Sequence, residues 1–163
     1  MAFPQQMVMY EEEFKLLNAV IYRLNREANS KAVYLVDKNG QLIANAGETL
    51  NIDSTSLASL TAGNIAATGG LAKLIGEKEF SILFHEGERD NIHISVIGQR
   101  VILVVIFDER SSLGLVRLRV KKASQELDTV FMSLSKKAEH PGTASPFAEI
   151  SDEDIENLFK GGN

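Results

Sequence analysis

Apolar residues recur along this chain at helical spacing in three stretches and at strand spacing in two blocks between them. Tyr10, Phe14, Leu17, Ile21, Leu24 and Ala28 make one stripe on a helix expected over about Met9 to Asn29, and Glu11, Glu12 and Glu13 suit its positive end. Ala32 to Val36 then reads as a strand. The turn signal Asp37-Lys38-Asn39-Gly40 and the return from Gln41 to Ala44 complete an antiparallel hairpin. After a polar loop, Asp53 or Ser54 is placed to cap a second helix that runs to about Ile75, where Gly76 stops it.

A second strand block follows. Phe80 to His85 is its first strand, Glu86 to Asp90 a turn, and Ile92, Ile94 and Val96 alternate with His93, Ser95 and Ile97 before a reversal at Gly98-Gln99. Val101 to Phe107 is apolar at every position, which predicts a central strand with both faces covered. The last long helix starts near Ser111 or Ser112 and carries Leu113, Val116, Val120, Ala123, Leu127, Val130 and Leu134, ending at His140-Pro141-Gly142. Packing on the sheet beside the first helix suits it better than a free coiled coil, because the other apolar faces need cover.

The second helix has two faces that differ in kind. Leu57, Leu60, Thr61, Asn64, Thr68, Leu71 and Ile75 fall on one side and read as the sheet-packing face. Ser59, Ala62, Gly63, Ala66, Gly69, Gly70 and Lys73 fall on the other. Each internal glycine costs roughly 1 kcal/mol against alanine, so a merely solvated face would carry other residues. Small side chains let another backbone approach. That backbone belongs to the protein's own loops, to the same helix across a dimer or to a different protein, with a partly unwound segment as a further explanation.

Composition narrows the function. With 163 residues and 44% hydrophobic usage, one domain-sized core is expected. The absence of cysteine removes disulfides, thiolate metal sites and a cysteine nucleophile. The net charge of -5 is uneven: from His140 onward there are five acids and one base, leaving the rest of the chain at 16 bases and 17 acids. A nearly neutral body gives no electrostatic reason to expect nucleic acid or an anionic membrane. The longest apolar run, Val101 to Phe107, is too short to cross a bilayer and the amino terminus has no signal-peptide pattern, so a soluble, intracellular protein is expected.

Chemistry is sparse. His85, His93 and His140 have no metal-ligand spacing to acids, and Gly69 to Gly76 lacks the order of a phosphate-binding loop. Neither a cofactor nor a metal is expected, and an enzyme reading is weak. In the acidic tail, beyond the linker Pro141 to Pro146, Ser151 and Asp154 form a capping-box pattern with Ile150 and Ile155 at the staple positions. Ile155, Leu158 and Phe159 share one face of the short helix this predicts. Such a helix is marginal alone, so it orders against something: a partner's groove or the body of its own chain.

The element order helix, two strands, helix, three strands, helix resembles the Roadblock family of dynein light-chain-like proteins. Val36 to Ile43, Ser56 to Asn64, Leu71 to Glu77, Phe84 to Gly87, Gly114 to Arg119 and Ser145 to Asp152 are similar to its bacterial branch, with the likeness running from Met9 to about Leu158. The resemblance implies an α/β fold of the α+β type: a five-stranded antiparallel sheet with the first and last helices on one face and the second on the other. It divides the chain into an extension at 1–8, a Roadblock domain at 9–139 and an acidic tail at 140–163. It further implies homodimers joined at the second helices and at the edge strand carrying Phe80, Ile82 and Phe84. The implied function is that of a GTPase-activating protein for a small Ras-like GTPase of bacterial cell polarity and gliding motility, two copies of the chain binding one GTP-loaded partner. Under that reading the GTPase sits on the small residues of the second helix, and the protein is cytoplasmic with concentration at a cell pole. A Roadblock scaffold that binds a GTPase or motor without altering turnover is the alternative.

Overall fold

The computed structural model describes residues 10–139. Its elements are α1 (Glu11–Glu27), β1 (Ala32–Asp37), β2 (Leu42–Gly47), α2 (Ser54–Leu74), β3 (Ile82–Glu86), β4 (Asn91–Ile97), β5 (Val101–Phe107) and α3 (Leu113–Glu139). The strands form one antiparallel sheet in the order β2-β1-β5-β4-β3, so β5 is central, as its unbroken apolar sequence requires. The expected tail helix with Ile155, Leu158 and Phe159 lies outside the described residues.

Alternation along the strands divides the core in two. Val33, Leu35, Leu103 and Val105 face α1 and α3, meeting Leu17, Ile21 and Leu24 from one helix and Val120, Leu127 and Phe131 from the other. Tyr34, Val36, Ile102 and Val104 face the opposite way, where Ala58 and Ile65 of α2 cover them. Across the first layer, the Nζ of Lys137 donates to both carboxylate oxygens of buried Glu13, at 3.0 and 2.9 Å, and Arg23 pairs with Glu126. Part of the acidic run at the start of α1 thus ties two helices together as well as meeting the helix dipole.

Boundaries moved in ways that have local causes. Phe80 precedes β3 instead of opening it, because pairing with β4 starts where the Val96 N–H donates to the Ser81 carbonyl at 2.9 Å. Phe131, absent from the expected α3 stripe, is buried, whereas Val130 is half-buried. In α1, Phe14 stands 40% exposed beside otherwise buried stripe residues.

Candidate functional site

Helix α2 begins as its sequence dictates: the Asp53 side chain accepts from the Ser56 N–H at 3.1 Å and the Ser56 hydroxyl donates to it at 2.7 Å. Those donors, the hydroxyl first, hold the Asp53 carboxyl below the usual carboxylate range. At the other end Gly76 takes φ +83°, its N–H reaching the Lys73 carbonyl while Glu77 donates to Ala72. Only a residue tolerant of the left-handed region closes a helix this way.

The helix is rotated relative to the expected assignment of its faces. Ala58, Thr61, Ile65 and Ala72 are the buried positions, and Leu60, Leu71 and Ile75, expected against the sheet, are 73%, 58% and 70% exposed. The cause is space. Gly40 of the β1–β2 turn, at φ +89°, packs against this side of the helix: a Cβ there would be in van der Waals contact, 3.4 Å from Ser59 Cα and 3.6 Å from Ala62 Cβ. A slim side of α2 faces that turn; Leu60 and Leu71 are turned outward, while Leu57, near the start of the helix, packs half-buried against the second core as expected.

The small residues consequently fall into two groups. Ala62 packs against the second core, half-buried, and Ser59 meets the hairpin turn with its backbone, so these two answer to the chain's own loop. Gly63, Ala66, Gly70 and Lys73 are exposed, Gly69 is half-buried, and a Cβ built on any of Gly63, Gly69 or Gly70 would meet nothing within 4 Å. Nothing in the described fold explains three glycines there. Flanked by exposed Leu60, Leu71 and Leu74, they form an outward strip that is apolar. Asn64 on this helix finds a partner in His85 of β3, with 3.1 Å between Nδ2 and Nε2, and Thr68 donates to the Asn64 carbonyl at 2.9 Å.

Strand β3 is one of the two sheet edges, paired on one side alone. Ile82 and Phe84 are 52% and 39% exposed on it, Phe80 is half-buried just before it, and the Phe84 ring stacks on Phe107 with 6.1 Å between centroids. An unprotected edge with apolar side chains is a template for pairing with another chain.

None of the described arginines belongs to α2. Arg110 is engaged by Asp108 at 3.0 Å and Glu48 at 2.9 Å, which hold its proton more firmly than usual, Asp108 foremost. Arg100 donates to the Phe131 carbonyl at 3.1 Å on the α3 side. Among the described residues there is no cluster of His, Asp or Glu able to hold a metal, and no helix is long and apolar enough to cross a membrane.

The Roadblock/LC7 domain model matches residues 16–107, which span the sheet, α2 and most of α1. The chain belongs to the Roadblock/LC7 family. Within it, the chain is similar to MglB of Myxococcus xanthus, 68% identical with a TM-score of 0.75 over 78% of this chain and 96% of that one. The gliding protein MglB of Thermus thermophilus is 33% identical, TM-score 0.74, with 78% and 97% covered. An MglB solved in a tetrameric arrangement is 31% identical, TM-score 0.75, with 79% and 97% covered. The sheet of five strands with α2 alone on one face is the Roadblock arrangement that those structures share.

Proposed function

We propose that this Roadblock protein is a homodimeric activator of GTP hydrolysis on a small Ras-like GTPase of the MglA type, acting in bacterial polarity and gliding. The observation that carries the reading is the outward strip of α2, whose glycines have no use inside the chain, on a protein 68% identical to an MglB. Ser59, Ala62, Gly63, Ala66, Gly69, Gly70 and Lys73 form the docking face, of which Ser59 and Ala62 are the margin already shared with the hairpin. Residues 9–139 make the docking domain. The edge of β3, with Phe80, Ile82 and Phe84, pairs with its symmetry mate, so two copies present two α2 helices to one GTP-loaded partner. Ile155, Leu158 and Phe159 of the tail add affinity. Residence in the cytoplasm with concentration at a pole belongs to the same reading.

Activation proceeds without an arginine finger. A finger must deliver a guanidinium to the transferring phosphate from an element in close contact, and α2 carries none. The dimer instead favours a switch arrangement in which the GTPase's own residues orient water and neutralise charge. Single-turnover hydrolysis by the GTPase, with and without this protein, separates activator from scaffold: stimulation supports the proposal, and binding without stimulation supports the alternative. Arg89→Ala, Arg100→Ala, Arg110→Ala, Arg117→Ala and Arg119→Ala should each leave the saturated rate within a few-fold. A loss of about a thousandfold in any of them, the effect a finger commands, would overturn the mechanism.

A further inference from the structure

On the α1/α3 side the helices leave part of the sheet uncovered. Between α3 and the outer strands β3 and β4 runs a groove of about 580 Å³, with two large apolar side chains on its walls, Ile82 at 52% and Leu118 at 62% exposed. Two buried polar residues also line it, His93 at 1% and Ser95 at 5% exposed. Both ring nitrogens of His93 and the hydroxyl of Ser95 are without a hydrogen-bond partner. Buried polar groups left in that state cost stability until something pairs with them. Arg117 and Lys121, one helical turn apart, supply positive charge along the α3 side of the groove. An occupant must therefore be apolar on one face, acidic beside it and able to offer hydrogen-bond groups.

The chain carries a segment of that chemistry. Beyond residue 139, Ile155, Leu158 and Phe159 recur at helical spacing among Asp152, Glu153, Asp154 and Glu156, the most acidic stretch of the sequence. Reach is sufficient. From the end of α3 back to Lys121 is eighteen helical residues, about 27 Å, and the eleven residues 140–150 extend to about 36 Å.

We propose that the acidic segment 151–160 of this chain docks in the groove between α3 and strands β3 and β4, its apolar residues against Ile82 and Leu118 and its carboxylates toward Arg117 and Lys121. The groove lies on the face of the sheet and edge pairing of β3 lies in its plane, so docking and dimer formation are compatible. GTPase contact by the same apolar tail residues then competes with docking, and the tail is held back until a partner displaces it.

Because the chain has no cysteine, Asn157→Cys takes a nitroxide label at one site. In the full-length protein without any GTPase, so that the outcome is separate from that of the functional reading, the label should reduce the amide signals of Ile82, Ser95, Leu118 and Lys121 to less than half. Adding Ile155→Ser, Leu158→Ser and Phe159→Ser should restore them, and Lys121→Glu should restore them in part. Undiminished signals at those four amides, or broadening that survives the triple serine change, would overturn the proposal.

Discussion

The two faces of the sheet are finished to different degrees. Twenty buried residues close the α1/α3 side, and nine make up the core under α2. The first side has two helices with broad aliphatic and aromatic stripes, tied by Lys137–Glu13 and Arg23–Glu126. The second has one helix that meets the sheet with alanines, a threonine, one isoleucine and the half-buried Leu57, and turns Leu60, Leu71 and Leu74 outward. A helix apolar all round is one meant to be covered on both sides. Folding consumes one side of α2, and the proposed function assigns the other to association.

Substitutions should therefore sort by face. Leu127→Ala, wholly buried in the larger core, should cost roughly 3–5 kcal/mol in chemical denaturation, whereas Leu60→Ala on α2 should stay within about 0.5 kcal/mol. Equal costs would erase the distinction. Next in size is the edge: Phe84→Lys places like charges against each other in the proposed pairing of two β3 strands, and should weaken dimerisation by roughly a hundredfold, about 2.7 kcal/mol. Sedimentation across a concentration series reads this directly, and an unchanged dimer would move the interface elsewhere.

Much of the first face was legible in the sequence, because α1 and α3 each carry a single apolar stripe and β5 has no polar position at all. The hairpin was legible too: Asp37 accepts from the Asn39 and Gln41 N–H groups at 2.9 and 3.0 Å, as an Asp-x-Asn-Gly turn should. The rotation of α2 was not. Both of its sides are apolar, so hydrophobicity gives no preferred direction, and what decides is the approach of Gly40 from 14 residues before the helix starts. The purpose of the glycines was visible as an anomaly, and the structure sharpened it by showing that Ser59 and Ala62 have an internal neighbour while Gly63, Gly69 and Gly70 do not. The groove was out of reach, since it depends on how far α3 stops short of β3. Strand alternation gave His93 no hint of burial.

Two smaller effects refine the comparison. Gly40→Ala must adopt φ +89° while meeting Ser59 at ordinary contact distance, which should cost about 1–2 kcal/mol by the same denaturation assay; no cost would mean that the turn relaxes out of the left-handed region. His93 is kept below its ordinary pKa by burial first and by Arg117 second. A histidine depressed in the folded state is protonated preferentially in the unfolded chain, so its contribution is intact above the unfolded value near 6.5 and is lost as pH falls below it. Thermal melts should decline from pH 6.5 toward 5, and His93→Leu should flatten that decline. A variant whose melting temperature falls as steeply as the parent's would assign the dependence to other groups.

The central claim is that the outward strip of α2 is free of any structural duty and binds the GTPase. Gly70→Arg tests it most directly, because a side chain at Gly70 meets nothing in the fold, while a bulky cation on a close-contact face obstructs and buries charge. Titration of this variant with GTP-loaded Ras-like GTPase, alongside its melting curve, should show an unchanged melting temperature and affinity reduced at least a hundredfold. Full affinity in a folded variant would contradict the account, and so would a variant that no longer folds, which would place the strip inside the core.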